Sequence, residues 1–165
     1  MNLLLWRHAE AEDGSPDLAR PLTVRGRAQA TRMAAWVHKH GPDAPCVLAS
    51  PAIRTRQTAD ALGLDYSVLP EIAPGASPVT VLAALGLDVP GSAPGHRPGK
   101  APAPGEETLL VVGHQPWIGE TAALLLTGRR HPFAVRKAAV WWLVRRTRGA
   151  DSEWTLRSVA DADLV

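Results

Sequence analysis

Cysteine is nearly absent from this 165-residue chain, in which Cys46 stands alone. No intramolecular disulfide can form, and no cysteine-based zinc cluster can be assembled within one chain. The setting of Cys46, in the apolar run Pro45 to Ala49, reads as a core strand and not as a reactive thiol. Net charge is scarce too, with 18 Lys plus Arg against 16 Asp plus Glu. That balance argues against nucleic-acid binding, which calls for a concentrated basic face, and leaves room for a local anion pocket. No apolar stretch approaches the ~20 residues that span a bilayer, so no membrane partner is expected. The start, Met1 to His8, lacks the basic segment, long apolar run and small-residue cleavage site of a signal peptide. A cytoplasmic location is expected. What is present is a 45% hydrophobic composition, enough for one domain over residues 1–165 to bury a core without metal or disulfide staples.

Asn2 to Trp6 is a continuous apolar run that ends abruptly at Arg7-His8, the pattern of a strand buried on both faces of a parallel sheet. A polar loop follows, and Thr23 then reads as the N-cap of a helix reaching about His40, ended by Gly41-Pro42. Cys46 to Ala49 is a second strand. Ser50-Pro51 directly after it reads as an N-cap with proline at the first helical position, opening a helix to about Leu62. Tyr66 to Leu69 suits a third strand and Pro78 to Leu85 a short helix. From Gly86 to Gly105 the composition turns to Gly, Pro and Ala with no apolar period, which predicts a mobile surface loop carrying His96. Thr108 to Val112 is another doubly buried strand, Gly113 to Pro116 its turn, and Trp117 to Thr127 a helix. Two strands, Ala138 to Arg146 and Trp154 to Val159, close the chain around a hairpin near Gly149. The alternation predicts a three-layer α/β/α sandwich with a largely parallel sheet.

In this layout His8 and His114 occupy equivalent places, each just past a buried strand, where ligands of open α/β sheets bind. Arg7 adds a permanent charge at the first of these ends, and Arg54 another from the helix after Ser50-Pro51. The set suits a phosphoryl group. Guanidinium groups grip phosphate oxygens in planar pairs, helix N-termini at Pro51 and Pro116 would add amide N–H groups, and a neutral imidazole attacks phosphorus while a protonated neighbour steadies the oxygens. Such a site needs no metal and no cofactor. Elsewhere, His38 and His40 flank Lys39 on different helical faces and read as solvated. Arg129-Arg-His131 reads as a solvated loop, and Trp141 and Trp142 should point to opposite faces of a strand.

Taken together, Trp6-Arg-His-Ala-Glu10, Pro21-Leu-Thr-Val-Arg-Gly26, Ser50-Pro-Ala-Ile-Arg-Thr-Arg-Gln-Thr-Ala59 and Val112-Gly-His-Gln-Pro116 resemble the histidine phosphatase superfamily, with its phosphoglycerate mutase-like fold. The short length and the lack of a large inserted lid resemble the SixA-type phosphohistidine phosphatases within it. The resemblance implies that His8 is the nucleophile that becomes phosphorylated and that Arg7, Arg54 and His114 hold the phosphate. Thr23 and Gly26 match a position read as helix-start architecture. Ala9 stands where the family commonly has glycine, which requires a negative φ there. For the general acid, the positional match is Glu71, with Glu10, Glu12 and Asp13 of the first loop as competitors.

The implied activity is metal-independent hydrolysis through a phosphohistidine intermediate. A phosphohistidine-containing protein is the first-choice substrate and a small phosphorylated metabolite the second. Mutase activity is disfavoured, because so short a chain offers no evident enclosure. The rival from another class, a phospho-ligand binding or regulatory module with little turnover, would have no need of His8.

Overall fold

Burial along β1 (Asn2–Arg7) and β4 (Thr108–Gly113) sets the layering of the computed structural model, which describes residues 1–89, 108–148 and 151–165. Both strands are buried on two faces because apolar side chains point alternately up and down. Leu4, Trp6, Leu110 and Val112 enter one core, and Leu3, Leu5, Leu109 and Val111 the other. The first core is closed by α1 (Val24–His40) and α2 (Ile53–Asp60), the second by α3 (Pro78–Ala84) and α4 (Trp117–Thr127).

The sheet adds β2 (Cys46–Ala49), β3 (Tyr66–Val68), β5 (Val140–Arg148) and β6 (Asp151–Ala160), in the order β3-β2-β4-β1-β5-β6. Strands β3, β2, β4 and β1 run parallel, β5 is antiparallel to β1, and β6, antiparallel to β5, runs in the direction of the first four. This is the expected α/β/α sandwich. Trp142 is buried in the first core and Trp141 packs against the second, as alternation requires. Residues 90–105 of the expected Gly/Pro loop, His96 among them, lie outside the described residues.

One expectation is corrected: Ser50 is not a helix cap. The chain bends at Pro51 and Ala52, Ala52 is the N-cap with extended dihedrals (φ −63°, ψ 142°), and α2 begins only at Ile53. His38 is exposed, as expected, with its Nε2 2.8 Å from the Leu62 carbonyl. Residues 129–131 are an exposed loop, also as expected, in which Arg130 pairs with Glu120 at 2.9 Å.

Register positions the site. Ala49, Val112 and Trp6 lie side by side across β2, β4 and β1, and Arg7 faces Gly113. The carboxyl ends of three neighbouring parallel strands therefore release the chain at one edge, which gathers Ser50, His114 and His8 there.

Two glycines are sterically required nearby. A Cβ on Gly113 would sit 1.9 Å from the Trp117 ring, and one on Gly26 would sit 1.9 Å from the Glu10 carbonyl. Gly26 also lets its N–H reach the Thr23 hydroxyl at 2.8 Å, which makes Thr23 the true cap of α1.

Candidate active site

His8 is held from both sides of its strand. Its backbone N–H donates to the Gly113 carbonyl at 2.9 Å, and its carbonyl accepts from the Ala138 N–H at 3.1 Å. The His8 ring places Nδ1 2.7 Å from the Ala9 carbonyl. A carbonyl can only accept, so Nδ1 carries the hydrogen and Nε2 keeps its lone pair. Ala9 has no positive φ and is fully buried, and its N–H donates to the Thr58 hydroxyl at 3.1 Å. Alanine thus fits where the family commonly has glycine.

The His114 ring stands 5.2 Å from that of His8, centroid to centroid. Arg54 Nη2 lies 3.3 Å from His114 Nδ1, and a guanidinium can only donate. Nδ1 is therefore the acceptor, and Nε2–H donates to Ser50 Oγ at 2.7 Å. Ser50 is fully buried behind the ring. Sequence reasoning assigned it to a helix cap and missed this role.

Burial is the main reason both rings are neutral. It lowers His8 to about 4, assisted by Arg54 and Arg7, while the bond to Ala9 opposes the shift. Burial lowers His114 to about 2, with His8 and Arg54 adding to it. At neutral pH the site holds two uncharged imidazoles among fixed cations. Arg7 donates Nη1–H to the Val135 carbonyl at 2.7 Å; burial lowers its pKa, yet it remains charged.

Arg54, only 5% exposed in its side chain, meets the exposed first loop: Nη1–H donates to the Asp17 carbonyl at 2.6 Å and Nη2–H to Asp17 Oδ2 at 2.9 Å. The bond from Arg54 is the leading reason the Asp17 carboxyl titrates below its ordinary range. Asp17 Oδ1 lies 3.3 Å from Arg20 Nη1.

These groups line one open cavity of about 400 Å³. Arg7, Arg20, Arg54 and Lys137 give it four cationic side chains against the carboxylates Asp13 and Asp17. That surplus favours an anion. Arg20, Asp17 and Lys137 are lining residues that the sequence reading did not single out. Two of the first-loop carboxylates are engaged or distant: Glu10 accepts from the Thr23 hydroxyl at 3.1 Å, and Glu12 is exposed away from the lining. Glu71 is exposed on the turn Pro70–Ile72 and does not line the cavity, whose wall is reached three residues later by Pro74.

Chemically, the arrangement offers an imidazole nitrogen with its lone pair, one buried and one half-buried guanidinium group and a second imidazole within one cavity. Among the described residues no group of three or more His, Cys, Asp or Glu is placed to hold a metal ion.

Comparison with known proteins agrees with this reading. Residues 3–75 match the family model of the histidine phosphatase superfamily, branch 1. The phosphohistidine phosphatase SixA of Escherichia coli is 30% identical over 145 residues, covering 84% of this chain and 82% of the relative. The structure of the protein histidine phosphatase SixA bound to tungstate superposes with a TM-score of 0.77 at 25% identity, covering 99% of both chains. A Nakamurella multipartitia structure provisionally assigned to SixA gives 0.76 at 28% identity, over 97% of this chain and 95% of its own. The chain belongs to the histidine phosphatase superfamily and is a phosphatase of phosphoglycerate mutase-like fold.

Proposed function

We propose that this phosphatase removes the phosphoryl group from phosphohistidine side chains of proteins, without a metal ion, by way of a phosphohistidine on its own His8. His8 Nε2 attacks phosphorus in line with the departing group, the Nε2–P bond forms and the substrate P–N bond breaks. The substrate ring, which takes a proton from solvent on its other nitrogen before the P–N bond breaks, keeps that electron pair and leaves as neutral imidazole. Water then adds to phosphorus, the Nε2–P bond breaks with its electrons returned to His8, and the water proton leaves on inorganic phosphate. Arg7 and Arg54 balance the phosphoryl charge in both steps. A phosphoryl dianion favours the imidazolium form of His114, so His114 takes up a proton at Nδ1 and donates it to a phosphoryl oxygen as a hydrogen bond.

One observation carries the choice of a nitrogen leaving group. Asp17 is the carboxylate that touches Arg54, and its double arginine pairing keeps it charged and unable to give up a proton. Glu71 lies outside the lining, and Asp13, although it lines the cavity, is exposed to solvent. An alkyl phosphoester needs an acid of the enzyme to protonate its departing oxygen; a phosphohistidine ring takes its proton from solvent. The name carried by the E. coli relative supports the same substrate class.

The test is a panel of phosphohistidine protein, sugar phosphates and nucleotides under matched conditions with a metal chelator. A kcat/KM highest for phosphohistidine protein supports the reading. A sugar phosphate or nucleotide turned over faster would transfer the function to small metabolites.

A further inference from the structure

Arg54 is an arginine whose fork is already gripped before substrate arrives. The two bonds to Asp17, 2.6 Å from Nη1 and 2.9 Å from Nη2, use both terminal nitrogens and come from one residue. Nη2 also lies 3.3 Å from His114 Nδ1. Nε is buried and has no partner among the described residues. Asp17 thus engages both terminal nitrogens, and the second hydrogen of Nη2, beside His114, is the donor left for a phosphoryl oxygen. The second carboxylate oxygen of Asp17 reaches Arg20, another lining residue, at 3.3 Å.

We infer that Asp17 is a positioning residue of this phosphatase, fixing the plane of Arg54 so that Nη2, beside His114, meets the phosphoryl group. The inference rests on the phosphate-pocket reading of Arg54 above. An arginine side chain has several rotatable bonds, and freezing it on binding costs affinity. Asp17 carries that ordering in advance, and a donor already in place gives more in the transition state than one that must first reorient. Asp17 touches no reacting atom in this scheme. Its side chain is 52% exposed, so its replacement leaves the core untouched.

The experiment compares Asp17→Ala, Asp17→Asn, Arg54→Ala and the Asp17→Ala/Arg54→Ala double variant. It reads kcat and KM for an activated aryl phosphate, and the Kd for inorganic tungstate. Asp17→Ala should lower kcat/KM on the order of tenfold and weaken tungstate several-fold. Asp17→Asn, whose amide oxygen still accepts from Nη2, should recover most of both. In the Arg54→Ala background, Asp17→Ala should change neither by more than about twofold.

Tighter tungstate binding by Asp17→Ala would overturn the inference by making Asp17 a competitor of the phosphoryl group. An equal loss in the Arg54→Ala background would overturn it by removing Arg54 from the effect. An Arg54→Ala enzyme as active as the parent would overturn the pocket reading itself, a distinguishable result.

Discussion

The rings of His8 and His114 face each other at 5.2 Å because the residues before them, Arg7 and Gly113, are paired across β1 and β4. Two parallel neighbours in register end at one level, and each end delivers a histidine. The site is a consequence of strand register first and of side-chain chemistry second. Each part of it then makes a separate demand that can be measured.

The neutral state of the two rings makes stability depend on pH. The unfolded chain protonates histidine near 6.5, whereas folded His8 resists until about 4 and folded His114 until about 2. Between 6.5 and 4 the unfolded state binds more protons, so stability falls as pH falls. His8 alone should account for about 2 kcal/mol lost between pH 7.5 and pH 5. Denaturant melts at the two pH values check this, with His8→Gln showing a smaller loss. NMR titration of the His8 ring should place its midpoint well below 6.5; a midpoint near 6.5 would remove the burial argument.

Arg54→Ala should cost roughly 2–4 kcal/mol of transition-state stabilisation, by comparison with loss of an oxyanion donor. Arg54→Lys should recover little, because an ammonium cannot serve Asp17 and the phosphoryl group at once as a planar fork does. The check is kcat/KM for phosphohistidine protein. Parity between the lysine variant and the parent would mean that charge alone suffices.

Ser50→Ala removes the acceptor behind His114 and leaves a buried N–H without a partner. Stability should fall by about 1–3 kcal/mol, and kcat should fall with it as the ring loses its fixed orientation. Denaturant melts and steady-state kinetics read the two effects. A variant with unchanged kcat would confine Ser50 to a packing role.

Glu71→Gln should change kcat/KM by less than about twofold on phosphohistidine protein, on alkyl phosphates and on activated esters alike, since Glu71 stands outside the cavity lining. A selective loss on alkyl phosphates would restore it as the acid.

Much of this was legible locally. Arg7-His8 and His114 ended runs of apolar residues, and Thr23 with Gly26 announced the start of α1, where the structure places cap and close contact together. Ser50 was legible only as a residue before proline, a context that local geometry equates with a cap. Its true partner lies 64 positions away and is reached through the β2–β4 pairing. Asp17 looked like any acidic loop residue, because its partner is 37 positions on and becomes visible only when α2 packs beside the first loop. Such pairings depend on strand order, which apolar periodicity does not encode. Glu71 illustrates the converse: its position along the chain suggested an acid, and the turn at Pro70–Ile72 points it outward.

The most direct test of the central claim is to trap the enzyme during turnover of a labelled phosphohistidine protein, with a metal chelator present, and to map the label. The account predicts an acid-labile, alkali-stable phosphoryl group on His8, absent from His8→Ala, whose turnover is lost as well. A phosphoryl group on another residue, or undiminished turnover by His8→Ala, would contradict it.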